Sequence, residues 1–220
     1  MSDSPYRYQG SDSILLDWEA GRWAGAPPPP AVHSEEYRQL IINIFLGLSK
    51  SYLRPSLLSL GCGNATIEVE LHKLGFEVLA TDYAETAIAL AARKNLLSKR
   101  LDVLESPNPT QRYDFIYADG LLGHVAIRPK GIAQLARTMS SYASDGGTII
   151  LANELSDYDS ANYAVTGYAK AQFFRPGPGE VSRLLTPLLP GWALQTTRLV
   201  TYIRPERGMR RREILVFRQV

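Results

Sequence analysis

Short apolar runs alternate with amphipathic stretches through the middle of the chain. Between residues 56 and 152, apolar runs of strand length are each followed by a stretch in which apolar residues recur at helical spacing. The predicted strands are Ser56–Leu60, Glu77–Thr81, a short one near Leu101–Leu104, Asp114–Ala118 and Thr148–Ala152. The predicted helices are Thr66–Leu74, Ala84–Lys94 and Lys130–Ala143. This alternation predicts an α/β fold with a doubly wound, mostly parallel sheet and helices on both faces.

The pattern differs on both flanks of this central segment. On the N-terminal side, Ser34 begins a predicted helix that has acidic residues in its first turn and apolar residues at helical spacing. On the C-terminal side, a predicted helix over Gly179–Leu189 precedes two strand-like runs, Trp192–Ile203 and Glu213–Val220. The basic segment PERGMRRR between these runs is predicted to be a solvated polar turn, so that the runs form an antiparallel hairpin.

Residues 1–33 differ in composition from the rest of the chain. Tyrosine and tryptophan are frequent there, Ser13–Trp23 has partly helical character, and four consecutive prolines occupy positions 27–30. Because four prolines cannot join a helix or a sheet ladder, we interpret residues 1–33 as an N-terminal arm that acts as a helical lid. Residues 34–220 then form the main domain. An aromatic-rich insert at residues 154–179 is predicted to wall a pocket.

Composition limits the classes of function. The chain has 220 residues, of which 45% are hydrophobic and 21% charged, as is typical of globular proteins. A net charge of +2 disfavours nucleic acid as a partner, and no apolar run reaches the roughly 18–20 residues of a membrane span. One cysteine and three separated histidines predict no metal site. The N-terminus lacks the basic and apolar regions of a secretory signal, so we expect a cytoplasmic protein.

The strongest local signal is a glycine loop after the first predicted strand. Gly61 and Gly63 follow that strand and precede a helix, where glycine permits a tight turn and close approach of a ligand to the backbone. Asp82 ends the second strand 21 residues after Gly61, the spacing expected of an acid that binds ribose hydroxyls. The position of Asp82 just before the next predicted helix also allows it to cap that helix.

Five segments in this order resemble the motifs of class I, Rossmann-like S-adenosylmethionine (SAM) dependent methyltransferases that tailor small natural products. They are LLSLGCGNATIEVEL, EVLATDYAETAI, RLDVLE, RYDFIYADGLLGHV and SYASDGGTIILANE. The resemblance implies SAM as the cofactor and S-adenosylhomocysteine as the product. It also implies a seven-stranded sheet whose last strand lies antiparallel between the fifth and sixth. The residues that it implies for cofactor binding are Gly61, Cys62, Gly63, Asp82, Tyr83, Asp102, Val103, Ala118 and Asp119.

Two positions depart from the pattern of that family. Ser59 stands where the family often has an acid that helps to hold the methionine part of SAM, and Ala65 stands in place of a third glycine. An alanine costs little at that position if its φ is negative. The missing glycine also disfavours a NAD-dependent dehydrogenase, whose dinucleotide loop needs three glycines.

Candidates for the acceptor site lie near the ends of the fourth and fifth strands and in the insert. His124 is the predicted catalytic residue, either as a general base or as a group that positions the acceptor. Tyr37, Tyr168 and Arg175 are predicted to bind the acceptor, because aromatic rings can wall a small pocket and a guanidinium pairs with carboxylate or phosphonate oxygens.

The predicted reaction is O-methylation of a small, acidic intermediate (carboxylate or phosphonate) of bacterial secondary metabolism. N- or C-methylation of a sugar or another natural product stays open, and methylation of RNA or protein is disfavoured because no separate recognition domain is present. The fourth strand is not followed by a Pro-Pro-Tyr-like motif, which excludes enzymes that methylate adenine or glutamine amides. Cys62 lies in the glycine loop, which excludes the cytosine C5 class. A homodimer is left open.

Overall fold

The structure is a computed structural model that describes residues 10–22, 30–156, 162–166, 171–204 and 208–220. The helices are α1 (Ile14–Glu19), α2 (Glu35–Leu48), α3 (Thr66–Lys73), α4 (Glu85–Arg93), α5 (Leu122–Val125), α6 (Gly131–Tyr142) and α7 (Glu180–Leu185). The strands are β1 (Ser56–Leu60), β2 (Glu77–Asp82), β3 (Leu97–Arg100), β4 (Tyr113–Asp119), β5 (Ala143–Glu154), β6 (Asn162–Thr166), β7 (Ala171–Arg175), β8 (Trp192–Arg204) and β9 (Gly208–Gln219). None of the helices in these ranges is long and apolar enough to span a membrane.

Seven of the described strands form one sheet, in the order β3-β2-β1-β4-β5-β9-β8. The first five run parallel to one another, whereas β9 is antiparallel to both β5 and β8. The last strand of the chain is therefore inserted between β5 and β8. This order confirms the predicted doubly wound α/β sheet with an antiparallel C-terminal hairpin.

The central strands are apolar on both faces because helices cover both faces. On β4, Phe115 and Tyr117 pack into the core beneath α2, α3 and α4, whereas Ile116 and Ala118 pack into the core beneath α6 and α7. Buried residues of β1, β5 and β9 divide between the two cores in the same alternating way. This two-sided burial explains why these strands appear as nearly continuous apolar runs in the sequence.

The third strand lies earlier in the chain than the sequence predicted. We expected it near Leu101–Leu104, but β3 spans Leu97–Arg100. It lies at one edge of the sheet, and most of its side chains are exposed, so its sequence lacks the apolar pattern of a buried strand. In the segment predicted as strand, the Leu101 amide donates to the Asp82 carbonyl over 3.0 Å, and the chain then turns, with the Glu105 amide donating to the Asp102 carbonyl over 3.2 Å.

The C-terminal hairpin is longer than predicted, and the insert contains strands that were not predicted. Because β9 begins at Gly208, the residues 208–212 pair with β8 and do not form the expected solvated turn. Within the insert, β6 and β7 pair as a small antiparallel sheet of their own.

The predicted helical character of the N-terminal arm is confirmed over α1. The Ser13 hydroxyl accepts the Leu15 amide hydrogen over 3.3 Å and caps this helix. Leu15 and Trp18 are buried in the same core as α2. Ser34 precedes α2 as expected, although its side chain makes no capping hydrogen bond.

Helix α6 begins so close to α5 that its first position requires glycine. A Cβ atom on Gly131 would lie 1.9 Å from the carbonyl oxygen of Val125. We expect Gly131→Ala to lower the free energy of unfolding by about 1–3 kcal/mol, since the helices must separate to admit the methyl group. Gly47 in α2 is exposed and has no atom within 4 Å of such a Cβ, so Gly47→Ala is the control and should raise stability by about 0.5–1 kcal/mol. Denaturant unfolding of both variants checks this, and a Gly131→Ala protein as stable as the parent would contradict the described packing.

Candidate functional site

The glycine loop lies at the carboxyl edge of the sheet between β1 and α3. Gly61 and Gly63 have φ values of 73° and 52°, in the left-handed region that glycine adopts at little cost. The amides of Gly61 and Cys62 donate to the Thr81 carbonyl over 2.8 and 2.9 Å. These bonds hold the loop against the end of β2.

Asp82 joins the glycine loop to the start of α4. One carboxylate oxygen accepts the Gly63 amide hydrogen over 2.9 Å, and the other accepts that of Ala84 over 2.8 Å. Burial raises the pKa of Asp82, whereas its backbone donors act in the opposite direction. Ala84, not Asp82, is the N-cap residue of α4, and its amide bond to Asp82 precedes the helix, so Asp82 does not cap α4. The ribose role stays a prediction, and both backbone bonds are compatible with it because each carboxylate oxygen accepts more than one hydrogen bond.

Ala65, in place of a third glycine, differs from expectation. Its φ is 53°, not negative, and the residue is fully buried. A residue with a side chain typically costs about 1–3 kcal/mol in such a conformation. The turn into α3 is therefore more strained than the sequence suggested.

Three more residues predicted to bind the cofactor, Tyr83, Asp102 and Val103, follow the adjacent ends of β2 and β3. The Asp102 carboxylate accepts the Leu104 amide hydrogen over 2.9 Å, just beyond the end of β3. The Arg100 guanidinium lies 5.2 Å from the ring centroid of Tyr83. Val103 is buried in the core, and its carbonyl accepts the Thr138 hydroxyl over 3.0 Å. Its side chain thus serves packing, which leaves its backbone for any contact with a cofactor.

Asp119, at the end of β4, is the centre of a buried polar network. Its Oδ2 accepts the hydroxyls of Tyr37 and Tyr117, each over 2.9 Å, and its Oδ1 pairs with the Arg212 guanidinium. Burial raises the pKa of Tyr37 to about 12, and that of Tyr117 well above its usual value, so both phenols stay protonated donors. Ala118, the neighbouring predicted residue, packs into the core on the other face of the sheet.

Arg212 was missed by the sequence analysis, which assigned it to a solvated turn. Its side chain is 4% exposed, and its guanidinium also lies 5.1 Å from the ring centroid of Tyr37. A signal was present in the sequence. Arg212 is in period-two register with Ile214 and Val216, which places all three side chains on the same face of β9.

A cavity of about 90 Å³ connects these elements. Four residues predicted to bind cofactor contribute to its wall, and these are Gly61, Cys62, Gly63 and Asp119. Leu15 and Trp18 of α1 also line it. The arm is held there because the Asn64 side-chain amide donates to the Leu15 carbonyl over 2.9 Å. The glycine loop, β4, β9 and the arm therefore enclose one space.

A buried carboxylic acid that the sequence analysis did not select also lines this cavity. Glu68, in the first turn of α3, accepts the Ser59 hydroxyl over 2.5 Å. Burial raises the pKa of Glu68 to about 7. Burial likewise raises the pKa of the Cys62 thiol, which keeps the thiol protonated and agrees with its exclusion as a nucleophile.

His124 lies in α5, beneath the hairpin of β6 and β7, and is not among the residues that line the cavity. Its ring meets the edge of Phe173 at a centroid distance of 4.8 Å. The surrounding protein desolvates the ring and lowers the pKa of His124 to about 4, so the imidazole is neutral near pH 7.

Arg175, at the end of β7, lies next to another buried carboxylate, that of Glu154. Its guanidinium lies 3.0 Å from Oε1 of Glu154, whose Oε2 lies 2.7 Å from the Arg204 guanidinium and accepts the Tyr202 hydroxyl over 3.3 Å. We call Arg175, Glu154 and Arg204 the arginine cluster. Tyr168, the remaining predicted acceptor residue, lies outside the described residues. Among the described residues, no group of three or more His, Cys, Asp or Glu side chains is arranged to hold a metal ion.

Comparison with known proteins relates this site to methyltransferases. The family described as "Methyltransferase domain" matches residues 33–206. The chain is 27% identical over 222 residues to a "Tabtoxin biosynthesis enzyme" of Pseudomonas amygdali pv. tabaci, an alignment that covers 96% of this chain and 82% of that protein. The family match confirms the resemblance predicted from the five motifs.

Two solved structures show how far the fold is shared. The 1,6-didemethyltoxoflavin-N1-methyltransferase of Burkholderia thailandensis, solved with its acceptor and S-adenosylhomocysteine, is 18% identical with a TM-score of 0.67 and covers 94% of this chain and 85% of its own. The glycopeptide N-methyltransferase MtfA, solved with SAM, is 12% identical with a TM-score of 0.61 and covers 80% and 91%. At sequence identities this low, the similarity shows a shared fold only.

We expect a large loss of stability when the Arg212 guanidinium is removed from the network around Asp119. Arg212→Met keeps most of the buried volume but leaves the Asp119 charge without its guanidinium, which typically costs about 3–5 kcal/mol. Arg198, exposed on β8, provides the matched control, and Arg198→Met should change stability by less than about 0.5 kcal/mol. Urea unfolding of the two variants measures the difference, and equal small effects would contradict a buried ion pair.

Proposed function

The chain belongs to the family of methyltransferase domains, and on this premise we propose that it methylates an oxygen of a small acidic molecule in a bacterial biosynthetic pathway. SAM is the methyl donor, and its sulfonium supplies an electrophilic methyl group when it is bound. A biosynthetic setting is supported by the relative named for tabtoxin biosynthesis. The neighbouring structures include enzymes that act on a glycopeptide and on a toxoflavin precursor, which supports a natural product as acceptor.

The residues at the carboxyl edge suit SAM in shape and chemistry. We assign the loop of Gly61, Cys62 and Gly63 to the part of the cofactor that must approach the backbone, because positive φ values and short side chains leave room there. We assign the Asp82 carboxylate to the ribose hydroxyls, and Asp102 with the Val103 backbone to the adenine. The further contacts that we assign to the cofactor are those of Tyr83, Ala118 and Asp119.

The observation that carries the proposal of an acidic acceptor is the arginine cluster. Arg175 and Arg204 converge on Glu154 at the carboxyl end of β5, the edge of the sheet where this fold places its ligands. Both guanidinium groups are cations whose planar N–H donors match the oxygens of a carboxylate or phosphonate. A carboxylate or phosphonate acceptor would add an anion to two cations that already lie together.

An ionised acceptor also fits the state of His124. A carboxylate oxygen carries no proton at neutral pH, so methylation requires no general base. A neutral imidazole is then suited to position the acceptor, together with Tyr37 and Tyr168. We further propose that the arm of residues 1–33 acts as a lid over the main domain and that the insert walls the acceptor pocket, because Leu15 and Trp18 already line the cavity.

The acceptor's charge can be tested with labelled SAM. The protein is incubated with SAM carrying a tritiated methyl group and a panel of small amino-acid-derived acids, each matched with its neutral amide. We expect the tritium label to enter an acid and not its amide. We also expect Arg175→Met to raise KM for that acid at least tenfold, with a smaller change in kcat. Equal labelling of acid and amide, or transfer to nitrogen in both, would reject an acidic oxygen acceptor.

The role of His124 can be tested through pH. Because the pKa of His124 is lowered to about 4, the ring is already deprotonated across pH 6–8. At saturating SAM and acceptor we therefore expect kcat to be flat over that range, and His124→Ala to lower it by less than the roughly 10²–10⁴-fold typical of a lost general base. A kcat that rises through an inflection near pH 6.5, and loses that inflection in His124→Ala, would instead assign the residue as the base.

A further inference from the structure

The glycine motif lacks its usual acid in the sequence, but in the folded chain another acid lies beside the same position. The position two residues before Gly61 holds Ser59, and its hydroxyl donates to Oε1 of Glu68 over 2.5 Å. Glu68 is buried at 3% exposure and reaches this point from α3. The carboxyl group and the serine hydroxyl both line the cavity beside Gly61 and Gly63. A buried acid thus lies next to the glycine loop although the strand itself contributes none.

The surroundings of Glu68 distinguish it from Asp119, the other carboxylate of this cavity. Asp119 is paired directly with a guanidinium, whereas the side-chain bond described for Glu68 comes from a neutral hydroxyl. The charged and titratable groups that face Glu68 from the elements around it are Lys94 just after α4, Asp82 of β2, Cys62 of the loop and Tyr117 of β4. Lys94 is itself bound to Glu19 and to the Asn64 carbonyl. A carboxylate in this setting is costly to ionise unless a cation joins it.

We propose that Glu68, oriented by Ser59, is the acid that binds the α-ammonium group of the methionine end of SAM, and so replaces from helix α3 the acid missing from the motif. This inference rests on the proposed function only in taking SAM as the ligand. The cavity supplies the location, since it is bounded by the glycine loop and by the end of β4. An ammonium group supplies the positive charge and the N–H donors that a buried carboxylate requires.

This assignment links the binding of SAM to the loss of a proton from the Glu68 carboxyl group. Burial raises the pKa of Glu68 to about 7, so below that pH the group is mostly a neutral acid. Binding of an ammonium group favours the ionised form, and the proton is released to solvent. The affinity for a ligand that carries the ammonium group should therefore fall by up to about tenfold per pH unit as the pH drops below 7. A ligand without that group should show no such dependence.

The experiment compares two ligands by titration calorimetry. S-adenosylhomocysteine carries the amino-acid end, whereas 5′-methylthioadenosine has the same adenosine and thioether without it. Glu68→Gln keeps the size of the side chain and removes its charge. We expect this variant to bind S-adenosylhomocysteine about 10- to 100-fold more weakly, the loss typical of a charge-assisted bond, and to bind 5′-methylthioadenosine within about twofold of the parent. Glu70→Gln, on the same helix but paired with Arg38 outside the cavity, should bind both ligands as the parent does.

Each other outcome has a definite meaning. Equal weakening of both ligands in Glu68→Gln would show a structural role and overturn the proposal, as would unchanged binding of both. If Glu68→Gln fails to fold, the parent protein decides the matter, because its affinity for S-adenosylhomocysteine but not for 5′-methylthioadenosine must fall between about pH 7.5 and 5.5. The proposal would also be overturned if the affinities for the two ligands changed equally with pH. A parent protein that binds neither ligand would contradict the assignment of SAM itself, which is a distinguishable failure.

Discussion

The ion pair between Asp119 and Arg212 is the interaction on which the site depends. It joins β4 to β9 across the intervening strand β5, where Ala152 lies on the same core face and is small enough to let the two side chains meet. The same carboxylate also accepts the Tyr37 hydroxyl from α2. One charge pair thus connects the main parallel sheet, the antiparallel hairpin and the helix that precedes the glycine loop. A carboxylate this deeply buried is tolerated because a guanidinium and two phenols satisfy it.

Buried acids recur around the carboxyl edge, and their partners determine what each can do. Backbone amides hold Asp82, and two guanidinium groups converge on Glu154. Donors from the protein itself stabilise these two carboxylates, which in turn hold neighbouring secondary-structure elements together. Glu68 has the neutral Ser59 hydroxyl as its side-chain partner, and burial raises its pKa to about 7, so a bound cation would favour its ionised form. Whether one of these carboxylates serves the structure or is available to a ligand thus depends on the hydrogen-bond donors that the protein itself provides for it.

The site is assembled from distant parts of the chain because parallel strands end at a common edge. The glycine loop, the acid after β2 and the residues after β4 are each local to one strand end, and the sheet order brings them together. The hairpin reverses direction, so that the beginning of β9 reaches the same edge as the end of β4 and supplies Arg212. Helix α1 also lines this space, and the Asn64 side-chain amide holds it there by donating to the Leu15 carbonyl.

The sequence by itself determined the parallel α/β core, the glycine loop and Asp82, because burial on both faces and a tight turn before a helix leave strong local patterns in residue order. It predicted a third strand but placed it too late in the chain, since an exposed edge strand needs no apolar residues, and it did not reveal the small sheet of the insert. Only the tertiary structure decided the roles of Arg212 and Glu68. A charged side chain appears in sequence as a surface residue, and its burial depends on a partner across the fold: Asp119 lies 93 positions away from Arg212. Ser59 appeared as a lost acid until the folded chain placed Glu68 against it, because contact through space, not spacing along the chain, decides which group completes a binding site.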